Sequence, residues 1–319
     1  MAGKYLRLIT IVLVGLLPVG CVEDKPAQAR PVIGLSVLTL TNPFFQEIAD
    51  SLQKEAVKHG YDVVVVSGEF DPARQQNQVK DFIVQKAAAI VLCPCESKAI
   101  GPAVQEAHDA GIVVFTCDIA CLATEAKFVV THVATDNKAG GKQAAQALLE
   151  ALGDAGGEIA VLHYPAAESC LLRVEGFKEV IEAHNRDGHA AVKIVAEVPC
   201  GGVKDQGYKA AEDLVQSFPS LAGIFAINDP SALGARAALE KADKDDQVKI
   251  VGFDGQPEGK QAIKQGKIYA DPVQYPDRIG RETARVIARY FEGEEVPRQI
   301  LIPTGLYRRA DALKDPELK

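Results

Sequence analysis

The chain has 319 residues, more than a single hydrophobic core usually serves, so two lobes are the first expectation. Its formal net charge is −8 and no Lys/Arg-rich run appears, which excludes a nucleic-acid footprint.

The first residues read as targeting rather than fold. Lys4 and Arg7 precede an apolar run from Leu8 to Val19, too short to cross a bilayer comfortably, and Gly20-Cys21 follows. Gly-Cys after such a run resembles the lipobox of bacterial lipoproteins, with Pro18 where Leu is usual. The resemblance implies a signal peptide over residues 1–21 and lipidation at Cys21. Residues 22–31, polar with two prolines, read as a tether.

Beyond the tether, β-branched apolar runs alternate with amphipathic helical stretches. Val32–Val37 leads to a helix at Phe44–His59, which Gly60 stops. Asp62–Val66 leads to a helix at Ala73–Gln85 and Ala89–Leu92 to one at Ala99–Ala110, with strands Ile112–Cys117 and Val129–Val133 following. The pattern restarts with helix Asn137–Leu152, strand Glu158–Leu162, helix Leu172–Asn185, strand Ala191–Ala196 and helix Tyr208–Phe218. Strand Ala222–Ile227, helix Ser231–Lys241, strand Val248–Phe253, helix Glu258–Lys264 and strand Tyr269–Val273 come next. A last helix, Pro276–Phe291, precedes Ile300–Pro303. Continuous apolar strands separated by helices predict an α/β protein of two doubly wound parallel-sheet lobes, whose crevices can face one another.

In such sheets ligand groups gather outside the carboxyl ends of the strands, and the loop after the first strand faces the crevice. A nucleotide site would put glycines there, so that backbone amides reach a phosphate. This chain puts Asn42, Pro43, Phe44 and Phe45 there. An amide and aromatic faces suit an uncharged, flat, partly polar ligand. Adjacent helical residues do not share a face, so one Phe is expected in the helix core and the other toward the crevice. The same positional reading selects Cys93, Asp118, Arg173, Asn228, Asp229, Asp254 and Gln274. Asp118 and Asp254 end strands in equivalent places of the two halves. Helix capping explains any one such Asp alone, as at Asp136, but convergence from both halves predicts a polyol-shaped site.

Five segments carry a resemblance: Asn42-Pro43-Phe44-Phe45, Arg173-Val174-Glu175-Gly176-Phe177, Phe225-Ala226-Ile227-Asn228-Asp229, Val251-Gly252-Phe253-Asp254-Gly255 and Gln274-Tyr275-Pro276-Asp277-Arg278-Ile279-Gly280. They resemble the ribose/galactose type of periplasmic sugar-binding protein, the solute receptor of an ABC importer, in order and over nearly everything from Pro31 on. The resemblance implies a type I fold with an N-terminal lobe of residues 32–134 and 275–302. A C-terminal lobe of residues 135–274 and 303–319 is joined to it by a hinge of several chain crossings. A monosaccharide or related polyol would lie between the lobes, touched by Asn42, Phe44, Phe45, Asp118, Arg173, Asn228, Asp254 and Gln274. Cys93 stands where ribose binders have Asn. They also have Arg directly after the aspartate, where this chain has Ile119, and a stacking aromatic near Gly202. These departures point away from ribose, toward a less polar, bulkier or modified ligand. The implied partners are that ligand, a membrane permease and the lipid anchor, for an exported monomer without cofactor, metal or nucleic acid.

Six cysteines remain after Cys21. In an exported chain disulfides are the first reading, and neighbouring loops pair Cys95 with Cys121 and Cys170 with Cys200. That leaves Cys93 and Cys117 close together at adjacent strand ends. Free thiols and a thiolate metal site are the alternatives, but C-x-C and C-x-x-x-C match no common zinc spacing. The histidines are scattered, and only His163 falls at a strand end. No nucleophile elbow or P-loop is present, so a binding protein is expected rather than an enzyme. The competing readings are a sensory receptor of the same fold, for a sugar or autoinducer-like signal, and a cysteine-dependent metal or redox protein. A LacI-type repressor is not expected, for want of a DNA-binding headpiece.

Overall fold

The computed structural model describes Met1 and residues 29–318. The leader, Cys21 and most of the tether therefore lie outside the described residues, and residues Pro31–Lys319 form one compact unit.

The first lobe begins with β1 (Val32–Val37), an apolar strand buried on both faces that must be covered by helices. It continues through α1 (Pro43–Lys58), β2 (Asp62–Ser67), α2 (Pro72–Val84), β3 (Ala89–Leu92), α3 (Gly101–Asp109), β4 (Val113–Cys117) and β5 (Val129–Thr135). The second lobe runs through α4 (Asn137–Leu152), β6 (Gly157–His163), α5 (Glu168–Arg186), β7 (Val192–Pro199), α6 (Lys204–Ser217) and β8 (Leu221–Ala226). It adds α7 (Asp229–Lys241), β9 (Lys249–Val251), α8 (Pro257–Lys264) and β10 (Ala270–Val273). The chain then returns to the first lobe with α9 (Pro276–Phe291) and β11 (Gln299–Ile302), and ends with β12 (Gly305–Arg308) and α10 (Arg309–Ala312).

The two sheets have orders β11-β5-β4-β3-β1-β2 and β12-β10-β9-β8-β6-β7. All pairings are parallel except β12 on β10, an antiparallel edge too short to show a period in sequence. Strand order reverses between β1 and β3 in one sheet and between β6 and β8 in the other. Those switch points are where ligands bind in open parallel sheets. Along β3, Ala89 and Val91 join the core cluster shared with α1 and α9, while Ile90 and Leu92 join the cluster under α2 and α3. The period of two thus sends alternate residues to opposite faces.

Several helices begin earlier than their periodicity indicates, because capping groups, one of them from the other lobe, satisfy their first amides. Ser97 Oγ, from the first lobe, accepts the Glu168 N–H at 2.9 Å and so starts α5 in the second. Asn228 Oδ1 accepts the Ser231 N–H at 3.0 Å and caps α7. Helices α4 and α5 touch through glycine: a Cβ on Gly176 would sit 2.1 Å from the Lys138 carbonyl oxygen, and one on Gly141 2.0 Å from that of Arg173. Gly176→Ala is therefore expected to cost about 1–3 kcal/mol, the penalty of overpacking a close crossing. Urea denaturation checks this, and an unchanged midpoint would show that the crossing is not tight.

Candidate functional site

The cleft side of the second lobe is organised around Arg173, which α5 delivers after the close crossing with α4. The side chain is buried, at 4 % exposure. Arg173 Nε donates to Asn137 Oδ1 at 2.8 Å. Its Nη1 donates to the Ile227 carbonyl at 2.6 Å and to Asp254 Oδ1 at 3.2 Å. The guanidinium also lies 3.9 Å from the centre of the Phe253 ring, a cation–π contact. Asp254 is held from the other side. Gln274 Nε2 donates to its Oδ1 at 2.6 Å, and Gln256 Nε2 to its Oδ2 at 3.1 Å. Thr135 Oγ1 in turn donates to Gln274 Oε1 at 2.7 Å, so two of the three chain crossings between the lobes are tied into the network. Burial pushes the Asp254 carboxyl up, and Arg173, Gln274 and Gln256 oppose that push.

Behind this pair, Asp229 and Asp271 are wholly buried, and burial pushes both carboxyls up, with repulsion from Asp271 adding to the push on Asp229 and repulsion from Asp254 to that on Asp271. Asp229 Oδ2 accepts the Gln256 N–H at 2.6 Å, while its Oδ1 and both Asp271 oxygens have no donor. Two facing carboxylates cannot donate to each other, so a shared proton is what satisfies them. Asp229 is thus part of the scaffold. Asn228 supplies the cap of α7 instead.

The first lobe contributes differently. Asn42 Oδ1 accepts the Phe44 N–H at 2.9 Å, capping α1 with Pro43 at its first position. Phe44 and Phe45 are both 5 % exposed, with rings at right angles and 5.3 Å apart. The expectation that only one would be core is corrected here: both join the core, and both line the cleft. At the start of a helix, two adjacent side chains can flank the same loop.

Asp118 follows β4 in the left-handed region, at φ +62°, and Asp254 likewise has φ +104°. Backbone strain in both strand-end carboxylates marks a place where surrounding structure holds a conformation for use. Asp118 Oδ1 is buried without a hydrogen-bond donor. Burial pushes its carboxyl up to about 7, with Asp254 and Glu168 adding repulsion and Arg173 opposing them.

Asn42, Phe44, Phe45, Asp118, Arg173, Asn228, Asp254 and Gln274 line one inner chamber of about 50 Å³ between the lobes. Cys93 does not. Its side chain is wholly buried in the core cluster under α1, with Sγ 3.1 Å from Cys117 Sγ. Sequence reasoning missed Tyr164, Cys170 and Phe70, which also line the chamber, and Asn137, which orients Arg173. Tyr164 donates its hydroxyl to the Cys95 carbonyl at 3.0 Å across the cleft, a contact between lobes that local sequence does not signal. His163 lies at the end of β6, where burial lowers its pKa, and stays outside the chamber.

All six described cysteines are free thiols, so neither expected bridge is formed. Side-chain placement explains why. Cys95 and Cys121 belong to different core clusters, as do Cys170 and Cys200, whose Sγ faces Ser231 Oγ at 3.2 Å. Among the described residues no group of three His, Cys, Asp or Glu side chains is placed to hold a metal.

Two outcomes follow. Non-reducing peptide mapping is expected to find six thiols or a Cys93–Cys117 bridge, and neither Cys95–Cys121 nor Cys170–Cys200. Asp118 holds its proton to about pH 7 when folded but only to its ordinary 3.8 when unfolded. Stability contributed by this group is full below pH 4 and falls as pH rises to 7, by a ceiling of about 4 kcal/mol. Asp118→Asn should therefore flatten the pH dependence of the melting temperature between pH 4 and 7. A wild-type slope in the variant would place the titration elsewhere.

Comparison with known proteins agrees with this geometry. Residues 33–295 match the periplasmic binding protein domain family. The ribose import binding protein RbsB of Salmonella typhimurium is 35% identical over 284 residues, covering 89% of this chain and 93% of that protein. The D-apiose import binding protein of Paraburkholderia graminis is 30% identical, covering 90% of each. The Caulobacter myo-inositol binding protein, solved with myo-inositol bound, superposes with a TM-score of 0.82 at 26% identity, covering 92% of this chain and 98% of that one. The chain belongs to the periplasmic binding protein family, in its ribose/galactose-type sugar-binding branch.

Proposed function

We propose that this protein is the substrate-binding lipoprotein of an ABC importer, taking a monosaccharide or related polyol between its lobes and presenting it to a membrane permease. The observation that carries this reading is the convergence of Asp118, Arg173 and Asp254 on one chamber walled by Phe44, Phe45 and Phe70. Carboxylates accept from hydroxyls, the guanidinium and amides donate, and aromatic faces cover the apolar side of a ring. In this reading, residues 32–134 with 275–302 and residues 135–274 with 303–319 close on the ligand. Cys21 carries the lipid anchor. The donor-less oxygen of Asp118 supports it, since a ligand hydroxyl supplies the missing bond.

A thermal-shift screen against D-ribose, D-allose, D-apiose, myo-inositol and further monosaccharides tests the proposal. A ligand bound only by the folded state adds about 2.7 kcal/mol at a hundredfold excess over its Kd, and the melting temperature rises. Arg173→Lys keeps the charge but loses the planar fork. It is expected to weaken the best ligand at least tenfold, ~1.4 kcal/mol by calorimetry. No shift with any sugar or cyclitol, or wild-type affinity in the variant, would overturn the assignment.

A further inference from the structure

The inner chamber shares part of its lining with a neighbour. Asn42, Phe70 and Gly202 line it and also line a second, outer chamber of about 550 Å³. Where Gly202 stands there is no side chain to separate the two. The glycine has φ +69°, and its turn is held by Asn228 Nδ2 donating to its carbonyl at 2.9 Å. The outer walls are mostly apolar, at Val203, Pro230, Leu233 and Pro257, and Lys204 and Glu258 also line them.

Phe70 stands at the junction. Unlike Phe44 and Phe45 it is 36 % exposed, and its backbone sits in the left-handed region at φ +59°, beside Glu69 at φ +53°. Strain in two successive residues holds a large aromatic ring partly in solvent. A ring used only for packing would be buried, as the other two are. Such strain persists where structure holds a group for use.

Resting on the sugar-binding reading above, we infer that the ligand is a sugar or cyclitol with an apolar, ring-bearing substituent. Its polyol ring occupies the inner chamber. Its substituent passes Gly202 into the outer one and stacks on Phe70. An apolar chamber of this size covers far more surface than a bare monosaccharide can use. The departures at Ile119 and Gly202, which each remove a group that would hold or cap a small ligand, fit this same shape.

Calorimetry on the protein with D-ribose, D-allose and D-galactose, each as the free sugar and as both anomers of its methyl and phenyl glycosides, tests the inference. At least one phenyl glycoside should bind about tenfold or more tighter than its methyl counterpart. Val203→Trp, at a position with extended backbone that lines only the outer chamber, should abolish that difference and leave the free sugar within about twofold of wild type. Leu233→Phe serves the same purpose if the first variant folds poorly. Free sugars that bind while every phenyl glycoside binds no tighter than its methyl counterpart would overturn the extended-ligand inference alone. A protein that binds none of the probes would overturn the sugar-binding reading with it.

Discussion

The buried pair of Arg173 and Asp254 organises the rest of the cleft. Two charges removed from water gain less from each other than they lose, unless their remaining hydrogen-bonding capacity is met. Here Asn137, Gln256, Gln274, the Ile227 carbonyl and the face of Phe253 meet it. These partners come from separate segments, so the pair fixes where α4 and α5 begin relative to where β8, β9 and β10 end. The tight α4–α5 crossing at Gly141 and Gly176 sets the height from which Arg173 reaches down.

The two lobes differ in how far they satisfy themselves. The second lobe provides Asp254 with its own cation and two amides. The first lobe provides Asp118 with nothing that reaches its Oδ1, and Ile119 beside it brings no charge. A carboxylate buried without a donor shifts toward its protonated form or finds a partner from outside. In the proposed reading, closure on a hydroxylated ligand would supply that partner and tie binding to the relative position of the lobes. The Thr135–Gln274 bond, the Tyr164–Cys95 contact and the Ser97–Glu168 contact then lie on the same closure. Ligand and hinge thus act on one set of groups, the condition for binding free energy to shift a conformational equilibrium.

Much of this was legible in the chain itself. Alternation of buried strands with helices sets the α/β class, because a strand apolar on both faces must be covered twice. Position at strand ends then selects Asn42, Asp118, Arg173, Asp254 and Gln274 without reference to any distance, since parallel sheets gather ligand groups there. Asn228 was selected on the same ground, and it lines the chamber while its amide holds the α7 cap and the Gly202 turn. Cys93 failed by one residue of direction. It ends β3 in the right place, but the period of two turns its side chain into the core.

What only tertiary structure decided are the facts that depend on two distant segments meeting. The partners of the cysteines were one, because residues near in strand order can still join different core clusters. The early start of α5 was another, because its capping hydroxyl comes from the other lobe. The surroundings of Phe70 were a third: its half-exposed ring, on a backbone in the left-handed region, shares a chamber wall with Gly202 only once two lobes stand face to face. Sequence alone determined the longer elements, their order and the chemical types gathered at strand ends, since those follow from local periodicity and from the handed geometry of parallel sheets. The structure determined which of those groups are already satisfied by protein and which are left for a ligand, since a hydrogen bond depends on distance and not on type.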